Sequence, residues 1–138
     1  MSTHLEEGSE LTLDFTKLQK IAATGIPVLP VIVQHAETKE VLVLAYANEV
    51  ALQETLKRQV ACFWSTSRNK LWIKGDTSGD YLDLVDVRVN CEQNSLLYLV
   101  RPRQAGVCHT KDSHGHTRHT CYYRALNQNQ LTILPEHI

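Results

Sequence analysis

A chain of 138 residues is long enough for one domain with its own core, and 43% hydrophobic residues is an ordinary globular share. Lys and Arg number 14 against 15 Asp and Glu, so the net charge is −1, which gives no electrostatic reason to expect duplex nucleic acid or an anionic membrane as partner. No apolar run approaches the roughly 20 residues that span a bilayer, and the polar, acidic start is unlike a secretory leader. A cytoplasmic location is expected, where four cysteines point to packing, metal or catalysis rather than to disulfides.

Residues 1–10 read as disordered. Leu11 to Ala22 carries apolar residues at 11, 13, 15, 18 and 21, a short helix ended near Gly25 and Pro27. Val31-Ile32-Val33 and the run from Val41 to Tyr46 are aliphatic and β-branched. Polar Glu37 to Glu40 lies between them, which predicts a hairpin. Asn48 is a good N-cap for a helix carrying Val50, Ala51, Leu52, Leu56 and Val60. Short strands are expected at 61–65, 71–74, 81–89, 95–100 and 122–126. Two long connections remain, 74–80 and 102–120, and long loops in compact domains are often functional. The organisation predicted is an N-terminal extension over 1–27, a domain over 28–126 and a tail over 127–138. The fold class is α+β, with a mainly antiparallel sheet and one central helix.

Cys91 falls where one predicted strand turns into the next, Cys108 opens the second loop, and Cys121 closes it. Thiolates are preferred zinc ligands, and three of them leave a fourth position open, as a catalytic zinc does for water. No CxxC pair is present, so this is no zinc ribbon. The competing view is that cysteines are small buried apolar residues, and for Cys62, beside Phe63 and Trp64, that view is as strong as any other. His109, His114, His116 and His119 crowd the second loop. His109 follows a candidate ligand directly and is the better functional residue. The other three fit a solvated segment equally well.

Four stretches together resemble the phosphoribosyl-AMP cyclohydrolase family of histidine biosynthesis. They are 29–34 with 40–48, Trp64-Ser65-Thr66-Ser67-Arg68 with Leu71 to Gly79, the turn around Cys91, and Gly106 to Thr110 ending at Cys121 to Arg124. The resemblance covers roughly 28–126. It implies an intertwined homodimer with active sites between subunits and a zinc held by Cys91, Cys108 and Cys121, some of them from the partner chain. It also implies a nucleotide substrate whose purine ring opens between N1 and C6 as water adds at C6. His109 would carry the proton. Arg68, Lys74, Thr77 and Ser78 would contact the substrate, with Ser65 in the same motif. Trp64 and Trp72 offer faces for a purine and are equally suited to a core. Gly75 and Gly79 would let backbone N–H groups approach a phosphate.

Three departures from the family pattern stand out. Its Asp-Cys-Asp-x-Asp motif, which binds a second hard cation usually taken as magnesium, reads Asn90-Cys91-Glu92-Gln93-Asn94 here. One carboxylate and two amides make a poor magnesium cage. The Cys108–Cys121 segment is lengthened, and His35 stands where Asp is usual. One reading is a second metal rebuilt as a transition-metal site from Glu92, Asn90, Asn94, His114, His116 and His119. Others are a shift to another electron-poor heterocycle or amidine, or a metal-binding chain without turnover.

Overall fold

In the computed structural model, which describes residues 3–138, the predicted hairpin forms from β1 (Leu29–His35) and β2 (Val41–Ala47). Its turn depends on His35, whose Nδ1 accepts from Glu37 N–H at 3.1 Å and Thr38 N–H at 3.3 Å. An imidazole acceptor thus does there what an Asp carboxylate would do. Beyond β1 lie β6 (Leu96–Pro102) and then β5 (Leu82–Val89), giving the order β2-β1-β6-β5. β1 and β6 are parallel and the other two pairings antiparallel, so the sheet is mainly antiparallel as expected. The parallel pair requires the long crossover that carries the helix and a second hairpin.

Val31, Val33, Leu42, Ala45, Leu82, Tyr98 and Val100 point into the core, by alternation along β1 and β6 and with a register shift after Val33 that brings Leu42 inward with Ala45. The helix α3 (Glu49–Arg58) and the small sheet of β3 (Cys62–Ser65) and β4 (Lys70–Ile73) pack there through Ala51, Ala61 and Phe63. Complete burial of a side chain such as Phe63 contributes about 2 kcal/mol. Asn48 caps α3 as predicted, accepting from Ala51 N–H at 2.9 Å, and Gln59 ends it in the left-handed region at φ 60°. Thr55, fully buried, pins the helix to β3: its hydroxyl donates to Ala51 O and accepts from Cys62 N–H, both at 2.9 Å. Cys62 is a buried packing residue whose thiol is raised by burial.

The ends are more ordered than the sequence suggests. Thr3–Glu7 is a helix, α1, correcting the disorder expected over 1–10; Met1 and Ser2 lie outside the described residues. It is held because Tyr123 Oη donates to Glu6 O at 2.7 Å and Arg124 donates to Leu5 O and Gly8 O at 2.8 and 3.0 Å. The next helix, α2 (Lys17–Ala23), is shorter than the predicted span over 11–22. Asp14 accepts from Thr16 N–H and from Lys20, which favours a start after it, and Leu13, Phe15 and Leu18 stay exposed. Asn127 to Gln130 makes a tight turn between β7 (Arg124–Asn127) and β8 (Gln130–Ile133). Leu131 N–H then reaches Ser9 O at 2.9 Å, so both ends of the chain close over the same side.

Candidate active site

The two long connections face each other across a cavity of about 790 Å³. One wall is β4 with the loop 74–80. That loop turns tightly at Gly75, φ 94°, where a Cβ would stand 2.3 Å from Tyr81 N, so no other residue fits. The other wall is the loop from Pro102 to Cys121. Its ends are fixed by backbone bonds: Val107 and Cys108 N–H both donate to Arg118 O, and Cys121 N–H donates to Leu42 O at 2.7 Å. Thr120 Oγ1 adds a bond to Val41 O at 2.9 Å. The loop is thereby anchored to the edge strand β2.

Cys108 and Cys121 meet at the cavity, thiol to thiol. The hydrogen bond from Cys121, followed by those from the Thr110 hydroxyl and N–H, lowers the Cys108 thiol; the same sulfur–sulfur bond and burial raise Cys121. Two neighbouring thiols of which one is held below its usual range form a pair that a soft cation would take up as thiolates. Lys74 lies close by, partly buried, donating to Asp80 O at 3.2 Å, and burial lowers its pKa.

Of the residues singled out from sequence, Arg68, Lys74, Thr77, Ser78, Cys108, His109 and Cys121 all line this cavity. Trp72 lines it too, with its ring 5.4 Å from that of Phe63. Trp64 and Ser65 do not. Trp64 Nε1 donates to Asn69 Oδ1 at 3.2 Å, and Ser65 Oγ accepts from Arg68 N–H at 3.2 Å, so this pair shapes the β3–β4 turn that carries Arg68. Gly79 N–H is already bonded to Gly75 O at 2.7 Å and is not free for a phosphate. His109 is exposed, its Nε2 against the Glu6 carboxylate of α1.

Cys91 is elsewhere. It sits exposed at the tip of the β5–β6 hairpin, while Asp80 and Gln104 at the base of that hairpin line the cavity. The strand between spans roughly 23 Å at ~3.3 Å per residue. Among the described residues of one chain, no three His, Cys, Asp or Glu side chains gather in a way that could hold a metal. Zinc therefore fits the Cys108–Cys121 pair by chemistry but needs a further ligand. Magnesium does not fit the 90–94 turn. Asn90 Nδ2 donates to Asn94 Oδ1 at 2.6 Å, and Asn90 Oδ1 accepts from Asn94 and Ser95 N–H at 2.9 Å, leaving Glu92 as the one carboxylate. The loop histidines do not join that turn to build a cluster. His114 and His116 donate backbone N–H to Asp112, and His119 packs at a tilt on His137, 4.6 Å between centroids, with Nε2 3.0 Å from Glu40.

Several lining residues were missed from sequence: Lys70, Gln104, Lys111 and Thr117. Lys70 and Lys111 sit within three residues of Arg68 and Cys108, and that proximity was the available signal. Glu6 carried no signal, because only the fold brings the first helix to His109.

Comparison with known proteins identifies the family. A family model described as phosphoribosyl-AMP cyclohydrolase matches residues 43–123. The phosphoribosyl-AMP cyclohydrolase of Archaeoglobus fulgidus is 46% identical over 75% of this chain and 89% of that protein. That of Caulobacter vibrioides is 41% identical over 88% of this chain and 83% of its own length. The histidine biosynthesis bifunctional protein HisIE of Thermus thermophilus is 44% identical over 74% of this chain and 44% of that protein. With a match over more than half its length and such identity to near-full-length relatives, the chain belongs to the phosphoribosyl-AMP cyclohydrolase family.

Proposed function

We propose that this chain opens the purine ring of 1-(5-phosphoribosyl)-AMP by zinc-dependent hydrolysis of the N1–C6 bond, as a cytoplasmic homodimer in histidine biosynthesis. The observation that carries the reading is a single cavity holding the Cys108–Cys121 pair, His109, and the cations and hydroxyls of both substrate-binding motifs. Among the described residues, no helix is long and apolar enough to cross a membrane.

Alkylation at N1 draws electrons from the ring and makes C6 electrophilic. Zinc, when bound, supplies a Lewis acid that lets water react near neutral pH. The protein's own residues do the rest. Arg68, Lys74, Thr77 and Ser78 bind and orient the anionic substrate. His109, steadied by Glu6, accepts the proton as the water oxygen bonds to C6. The N1–C6 bond then breaks, its electron pair leaves on N1, and the proton returns there. C6 ends as a carboxamide carbon. Because Cys91 stands far from the thiol pair within one chain, the partner subunit's Cys91 is the third ligand in this reading. The exposed apolar residues Ile32, Leu44, Val85 and Val89 offer surface for such a contact.

The test is an assay of untagged protein with phosphoribosyl-AMP, with zinc alone and with zinc plus magnesium. The reading expects ring opening with zinc and no requirement for magnesium. No ring opening with any metal would reject it.

A further inference from the structure

Residues 110–118, the lengthened part of the second loop, fold back as a small hairpin. Lys111 and Thr117 form an antiparallel bridge, Asp112 N–H donates to His116 O at 2.9 Å, and Gly115 N–H donates to Asp112 O at 3.0 Å. The Asp112 carboxylate closes the turn by accepting from His114 and His116 N–H, both at 2.9 Å. The base is clamped by Arg118, only 4% exposed, which pairs with Glu7 and donates to His137 O at 2.9 Å. Thr117 packs so tightly on Gly106 that a Cβ there would stand 2.6 Å from its side chain. This clamped hairpin turns the rings of His114 and His116 outward, and it turns Lys111 and Thr117 to the cavity.

Lys111 has no ionic or hydrogen-bonding partner for its ammonium among the described residues. Arg68 and Lys70, on the β3–β4 hairpin, likewise line the cavity without a carboxylate partner. Lys74, placed among the substrate contacts above, gives one of its three N–H groups to Asp80 O and keeps the others for the substrate. Free cations therefore enter the cavity from two separate elements. The substrate proposed above carries a phosphate on each side of the reacting ring, and each phosphate needs cationic donors.

We propose that Lys111 is a substrate-recognition residue that binds one of the two phosphates, while Arg68 and Lys70 bind the other. This rests on the reading of function given above. The lengthened loop is then a device for presenting a fixed ammonium to the substrate.

The test uses the full zinc-loaded protein as wild type, Lys111→Ala, Lys111→Arg and the double variant His114→Ala/His116→Ala. The substrates are phosphoribosyl-AMP and two analogues, each lacking one of its 5′-phosphates. Lys111→Ala should raise KM for phosphoribosyl-AMP about tenfold, as loss of one charge-assisted contact does, with kcat within about threefold. The penalty should vanish for one analogue and persist for the other. Lys111→Arg should recover most of the loss, and the histidine variant should behave as wild type. An unchanged KM, an equal penalty on all three substrates, or the same penalty in the histidine variant would overturn the proposal. Calorimetric binding of phosphoribosyl-AMP separates this from the reading of function: a wild type that binds without turnover rejects that reading alone, and equal binding by wild type and Lys111→Ala rejects the role of Lys111.

Discussion

The base and the tip of the β5–β6 hairpin differ in what they leave unsatisfied. Near the base, the loop from Pro102 to Cys121 is clamped to β2 and brings two thiols into contact beside a lysine. At the tip, Asn90 and Asn94 bond to each other and to the turn's own backbone, and Cys91 projects alone and exposed. The base gathers two thiols and an ammonium in one cavity. The tip is complete as a turn and offers one sulfur. The contrast teaches that three cysteines spaced as a ligand set in sequence are divided in the fold, which is why the proposed zinc site draws its third sulfur from a second copy of the chain.

The largest effects should come from breaking either side of that division. Cys108→Ser and Cys91→Ser should each abolish zinc retention and lower turnover more than about a thousandfold, although Cys91 is remote from the cavity in its own chain. Metal analysis alongside the ring-opening assay checks this. A Cys91→Ser protein with full zinc and full activity would erase the comparison. His109→Gln should retain zinc and lose about 10²- to 10⁴-fold in kcat, the usual range for a proton carrier. Equal loss of zinc in that variant would make His109 a ligand instead.

A smaller effect sharpens the clamped side. Arg118 is buried against Glu7, Tyr123 and His137 O, with its guanidinium 4.3 Å from the Tyr123 ring. Arg118→Met should lower stability to urea by about 2 kcal/mol, below the full value for a buried pair because Glu7 regains water. The smallest effect concerns Asp112. Backbone N–H groups of His116 and His114 hold its carboxyl below the ordinary 3.8. A depressed folded value means that this contribution is present above 3.8 and lost as pH falls through the lowered value. Protection of the His114 and His116 amides, measured against the intrinsic exchange rate at each pH, should therefore fall below that point, and Asp112→Ala should show the reduced protection already at neutral pH.

Much of the fold was legible because local pattern and tertiary demand agree. Runs of aliphatic and β-branched residues marked β1 and β2, and Asn48 announced α3. The parallel β1–β6 pairing was not legible, since strand order depends on the crossover rather than on either strand. β8 was missed because Asn127 to Gln130 reads as a polar tail until Gln128 adopts φ 57°. Order in α1 comes from Tyr123, Arg118 and Arg124, more than a hundred residues away. At the site, Cys108, His109, Lys74 and Arg68 could be read from their motifs, as their types and spacing carry the chemistry. Trp64 and Ser65 belong to the same motif yet support the turn instead of lining the cavity. Lys111 was hidden in a stretch whose histidines draw attention to metal, and only the hairpin shows which side chains face inward.

The division of the ligand set between two chains is tested most directly by mixing two inactive variants. Cys91→Ser and Cys108→Ser proteins are purified separately, unfolded together and refolded with zinc. A mixed dimer has one site with Cys108 and Cys121 from one chain and an intact Cys91 from the other. Random pairing should then restore about a quarter of wild-type ring opening, with zinc recovered in proportion. No activity above that of either variant alone would contradict a site shared between subunits.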